Sequence, residues 1–216
     1  MNPTVVVFFL HNVAATFLLG MKFRSRRDPV FKDFGSALIL NGVAYTIWSA
    51  AVILRPDNLK PLVTLGVLFF LASLVFFLSA GIRKTGTLKQ GPVLWTGLVV
   101  ALVLFLVRTY VYPSEPGFSQ EGLFFFHAHP VAQLIYIFGL ALTALRGIDA
   151  LASKFTDPFY ARLVRYGFTI QVMGGIILLT STDTLALYID GWIIGTVYFA
   201  LWTLLLFNRK AWATVR

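Results

Sequence analysis

Cysteine is absent from the 216 residues. That removes disulfides, thiolate metal sites and cysteine nucleophiles. Charge is scarce: 12% of residues are charged and 58% apolar, a balance far from that of a soluble domain and suited to a membrane protein. Histidine occurs three times, too few for the eight-histidine iron oxygenases of membranes. The last apolar segment holds no lysine, so a retinal Schiff base has no anchor there. The H-E-x-x-H pattern and the P-loop glycine pattern are missing. So is the proline–glutamine signature that small sugar-transporting seven-helix proteins carry in their first segment. No basic stretch precedes the first apolar run, because "KFRSRR" follows it; no signal peptide is expected.

What the chain does have is long apolar runs. A spanning helix needs about 20 apolar residues. Seven segments fit: Thr4 to Met21, Phe34 to Leu54, Pro61 to Ile82, Pro92 to Tyr112, Leu123 to Leu145, Leu163 to Leu187, and Gly191 to Phe207. Helices are expected, because each span must satisfy its own backbone hydrogen bonds in lipid. A β-barrel would show short alternating segments instead. Turn and charge signals separate the runs: "RSRRDP", "RPDN", "RKTGTLKQGP", "YPSEPG", "SKFTDP" and "YIDG". The expectation is an all-α, seven-transmembrane-helix bundle forming one transmembrane domain over residues 1–216, in a plasma or cytoplasmic membrane.

Basic residues orient the bundle. Of the 18, only Arg55, Lys60 and Arg108 fall outside one alternating set of loops. The positive-inside rule then puts the N-terminus outside and the C-terminus in the cytoplasm. A formal charge of +9 concentrated in short loops points to anionic lipid headgroups as partners rather than nucleic acid.

An internal repeat is also readable. His11–Asn12–Val13–Ala14 parallels His129–Pro130–Val131–Ala132; Phe34–Gly35 with Gly42 parallels Tyr166–Gly167 with Gly174; "LGVLFF" from Leu65 parallels "IGTVYF" from Ile194. The pairs fall in order. They imply a 3+1+3 parallel pseudo-repeat, with halves at 1–84 and 121–210 and a linker helix at 92–112. Parallel repeats of this kind occur in membrane transporters. Apolar helices also share Leu, Gly, Ala and Phe by composition alone.

Polar residues inside the spans are the functional candidates. Asn41, Tyr45 and Trp48 form a stripe on segment two. His129, Gln133 and Tyr136 form one on segment five, if that helix is continuous from near Gly122. If Pro130 is instead the first helical residue, His127 and His129 belong to an approach segment. Segment six carries Gln171, Gly175 and Thr182, then Asp183; segment seven carries Tyr198 and Trp202. These stripes are expected to face the bundle interior. Arg108 and Asp183 near the outer ends either pair or bind an anion.

Three functions fit. In the first, a redox protein, His11 and His129 ligate a b-type heme in the outer half, and Arg108 meets a propionate. A bare metal ion on His11, His129 and His127 is a weaker version, because His127 and His129 point apart on a helix. In the second, a small-molecule or ion transporter, Asn41, Tyr45, Trp48, Gln133, Tyr136, Gln171 and Asp183 surround a central site. The third is a sensor or assembly subunit with partners in a membrane complex. Against each stands the plainer reading that these side chains only pack helices. Whether the chain is an enzyme is left open.

Overall fold

The structure is a computed structural model. It describes residues 3–54, 58–85, 90–120, 122–127, 129–180, 185–186 and 189–215. Helices dominate: α1 (Pro3–Arg24), α2 (Pro29–Leu54), α3 (Lys60–Thr85), α4 (Gln90–Tyr110), α5 (Pro130–Ala152), α6 (Pro158–Thr180), α7 (Gly195–Phe207) and the short α8 (Arg209–Ala213). A π-helical turn at Ile189–Ile194 leads into α7. Among the described residues, α2, α3, α4 and α5 are long and apolar enough to cross a membrane.

Capping residues set where helices begin. Asp28 Oδ1 accepts from the amide of Val30 at the start of α2, and Asp157 Oδ1 accepts from Phe159 at the start of α6. In both, proline follows the aspartate; its fixed φ suits the first helical position, where its missing N–H costs nothing. The "DP" pairs are therefore helix starts.

Segment five departs from the continuous-helix expectation. Phe124–His127 is a strand, β2, paired antiparallel with β1 (Glu115–Phe118), with Glu115 opposite His127 and Phe118 opposite Phe124. α5 begins at Pro130, and His129 caps it. The polar stripe expected from His129 onward therefore starts at a cap. A run of phenylalanines is as compatible with a strand as with a helix, and Pro130 takes the N1 position.

The helices form a ring. α1 packs on α2, α2 on α3, α3 on α5, α5 on α6, α6 on α7, and α7 back on α1. α4 stands outside the ring against α3, with Trp95, Val99 and Leu106 exposed. Neighbours approach closely where glycine permits. A Cβ on Gly35 of α2 would lie 2.6 Å from the backbone of α1 at Gly20 and Arg24. A Cβ on Gly147 of α5 would lie 2.6 Å from the Phe77 carbonyl of α3.

The two ends of the ring differ. At one end, Asp28 pairs with Lys154 at 2.6 Å, Asp33 with Arg83 at 2.5 Å, and Asp149 with both Lys84 and Arg165. Ser79 also donates to Asp33 at 2.6 Å. Lys22 Nζ donates to the Leu206 carbonyl, and Lys22 and Arg26 both lie against the Trp212 ring. Burial, then the neighbouring Arg26, holds the Lys22 ammonium below its ordinary range. The Thr156 amide donates to the Thr214 carbonyl at 2.7 Å. Most of the basic loops thus meet at this end. At the other end lies the β1–β2 hairpin, with β1 on α3 and β2 on α6.

Candidate functional site

A cavity of about 40 Å³ lies among α2, α3, α5 and α6. Asn41 and Tyr45 reach it from α2 and Gln171 from α6. Phe70, Leu74 and Phe77 line it from α3, Ala144 and Ile148 from α5, and Phe168, Val172 and Gly175 from α6. A volume of that size holds on the order of three waters, at about 10–15 Å³ each. Among the described residues, none that lines it is charged.

Asn41 is the centre of interest. Its side chain is 4% exposed, and its Oδ1 accepts no hydrogen bond among the described residues. A buried acceptor left unsatisfied costs roughly 1–3 kcal/mol. Tyr198 and Trp202 of α7 are buried close by, with ring centroids 4.7 Å apart, and Phe168 packs on both. Gln171, Trp202 and Tyr45 are the polar neighbours of the Tyr198 hydroxyl.

On its basic side the cavity ends at an aromatic cluster. Phe34 packs against Phe77 at 4.8 Å and Phe168 at 5.2 Å between centroids, both nearly perpendicular. Phe34 and Phe168 are fully or almost fully buried. One residue before Phe34 stands Asp33, with its Arg83 and Ser79 partners. From the cavity outward, the order is polar lining, aromatic layer, ion pairs.

Of the residues singled out in the sequence, Asn41, Tyr45 and Gln171 come together at this cavity. Trp48 does not line it: its Nε1 donates to the Val63 carbonyl at 3.2 Å and fastens α2 to α3. Gln133 is half-buried near the start of α5 and away from the lining. Arg108 is buried and donates from Nη2 to Ser114 Oγ at 2.8 Å, on the chain that leaves α4. Asp183 and Thr182 lie outside the described residues, as do the side chains of Tyr136 and His127.

The two repeated histidine contexts end in different surroundings. His11 is exposed on α1, edge-on to Phe199 of α7 at 4.6 Å. His129 is exposed at the start of α5, 4.7 Å from the Tyr112 ring, and its Nδ1 accepts from the Val131 amide at 3.3 Å. No group of three or more His, Cys, Asp or Glu side chains able to hold a metal exists among the described residues.

Sequence reasoning missed the aromatic layer. In a chain with 21 phenylalanines, nothing local marks Phe34, Phe77 and Phe168 as partners. The adjacency of Asp33 to Phe34 was the available signal, since a carboxylate at the edge of an apolar span needs a partner. No protein-family model and no curated protein matches the chain, so the reading of this site rests on its own residues.

Proposed function

We propose that this chain is a multi-pass membrane carrier of seven spans. Its N-terminus lies outside and its basic end in the cytoplasm. It binds a small molecule in the cavity and exposes it to one side of the bilayer at a time. The observation that carries the reading is the buried, unsatisfied Asn41 Oδ1 in a cavity enclosed by helices of both sequence halves. Further support comes from the order of helices in the ring. α1, α2 and α3 are followed by α5, α6 and α7, with α4 outside, as a 3+1+3 pseudo-repeat requires. Contacts between the halves run parallel in both places: α1 with α7 through His11–Phe199 and Lys22–Leu206, and α3 with α5 through Phe77–Gly147 and Lys84–Asp149. Exposed Arg24, Arg27, Lys32, Arg162 and Lys210 suit anionic lipid headgroups at the cytoplasmic face.

The test needs no ligand. Spin labels at Arg24→Cys and Arg162→Cys, in this cysteine-free chain, report the separation of the two halves at the basic end. A carrier gives two distance populations in liposomes. The longer one grows when Asp149→Ala and Lys154→Ala remove ion pairs. A single distance, unmoved by both substitutions, rejects alternating access. An absorption spectrum of the purified protein tests the heme reading: a Soret band lost in both His11→Ala and His129→Ala would replace the carrier by a redox protein.

A further inference from the structure

The chemistry of the cavity goes further than the carrier reading on which it rests, because it selects a class of ligand. We propose that the site takes a small uncharged molecule bearing an N–H or O–H donor, of amide or alcohol type, and excludes ions of either sign.

Charge is decided by what surrounds the guest. Among the described residues, Asn41, Tyr45 and Gln171 are the polar groups of the lining, and all are neutral at ordinary pH. The rest is phenylalanine and aliphatic surface. Moving an ion from water into such surroundings costs several kcal/mol unless a counter-charge meets it. Asp33, on the same helix as Asn41, is already engaged by Arg83 and Ser79, and it stands next to Phe34 of the aromatic layer. Asp149 is held by Lys84 and Arg165 at the end of the ring. Neither offers a counter-charge to a cation in the cavity. Lys84 and Arg83 are committed to those same carboxylates and offer none to an anion.

The donor requirement comes from Asn41. Its Oδ1 is buried without a hydrogen bond, whereas a carboxamide in a protein interior normally satisfies both ends. Tyr45 and Gln171 add neutral polar groups to the lining, each able to donate and accept. The phenyl faces of Phe70, Phe77 and Phe168 leave room for one flat or short apolar side. The small volume favours a compact guest. Acetamide and ethylene glycol have that size and chemistry. Acetate is the charged counterpart of acetamide in nearly the same shape.

The experiment uses the full chain with one cysteine at Ala144→Cys, a lining position, purified in detergent. Propyl methanethiosulfonate is neutral; its aminoethyl and sulfonatoethyl relatives, with chains of similar length, are cationic and anionic. Each rate is divided by that reagent's rate with a free thiol. The neutral reagent is expected to react faster than either charged one by about tenfold or more. Acetamide and ethylene glycol are expected to slow its reaction at least twofold, and acetate and methylammonium to leave it unchanged. Asn41→Leu should abolish the protection. If that variant does not fold, Gln171→Leu serves the same purpose. Charged reagents reacting as fast as the neutral one overturn the proposal. So does an absence of protection by both neutral solutes, which would mean that the cavity holds water only. The outcome is independent of the spin-label distances. Neutral selectivity with one fixed distance would keep the ligand class and discard the carrier; two distances without selectivity would do the reverse.

Discussion

The two ends of the helix ring are closed by different physics. The basic end is held by ion pairs that link α2 to α3, α3 to α5, α5 to α6, and the α1–α2 turn to the α5–α6 turn. Behind these lies the aromatic layer of Phe34, Phe77 and Phe168. The opposite end carries a two-stranded hairpin laid across α3 and α6, the helices that line the cavity above Phe77. A lone hairpin is marginally stable in water, and three or more strands or a helix partner are needed to hold it. Among the described residues, the hairpin end adds to this strand pairing the Arg108–Ser114 hydrogen bond and the Tyr112–His129 ring contact. Opening the basic end must break several pairs and separate packed rings at once. The energetic asymmetry is thus written into side-chain type: charge and aromatic area at one end, backbone pairing at the other.

Substitutions can break this comparison, and their expected effects fall in order. Phe34→Ala should be the most damaging, at about 4 kcal/mol, because it empties a fully buried ring position between two helices. Denaturant unfolding in a single detergent measures it. A loss no larger than that of an exposed-site control would show that the aromatic layer does not hold this end.

Asp33→Ala comes next. It strands the Arg83 guanidinium and the Ser79 hydroxyl, and a loss of about 2 kcal/mol is expected. The value is set below that for a fully buried pair because Arg83 keeps 27% of its side chain in contact with the surroundings. The same unfolding assay decides. Asp33→Asn should recover part of the loss by accepting from Ser79, and equal values for the two variants would remove the Ser79 hydrogen bond from the account.

Lys84→Ala should matter little, about 0.5 kcal/mol, since both partners are 40% or more exposed and Asp149 keeps Arg165. Its effect should fade as salt is raised from low to molar concentration. A large, salt-insensitive loss would contradict the exposed geometry.

His129→Ala gives the smallest expected change, about 0.5 kcal/mol, through the weak cap on the Val131 amide. His129→Ser should restore it. Hydrogen exchange at Val131 and Ala132 reads the cap directly. Unaltered exchange in the alanine variant would mean that the long 3.3 Å contact contributes nothing.

Parts of this arrangement were readable before any coordinates. Four helices long and apolar enough to span a membrane follow from runs such as the one between Pro61 and Ile82. Asn41 and Gln171 stood out because amides are rare in such runs and costly there. The start of α5 was only half legible. Phe124–Phe125–Phe126 reads as spanning material by hydropathy, yet it pairs with Glu115–Phe118 across a turn. Strand pairing depends on a partner elsewhere in the chain, and window averages do not register a partner. The same limit hid the ion pairs: the basic loops were evident, but that Asp28 meets Lys154 is a fact of helix packing. Trp48 was grouped with Asn41 and Tyr45 by spacing, although its indole turns to the Val63 carbonyl instead.

One consequence concerns the order in which the chain is made. The ring closes where α7 meets α1, and α7 is the last of its six members to be synthesised. Until then the arc of α1, α2, α3, α5 and α6 lacks its last member, and Phe23 has Phe31 and Phe34 against it but not yet Trp212. The contacts that close the arc are specific: Lys22 to the Leu206 carbonyl, His11 to Phe199, and Trp212 against Phe23 and Phe31. A nascent chain halted before Gly195 therefore presents the flank of α1 to whatever lies beside it in the membrane.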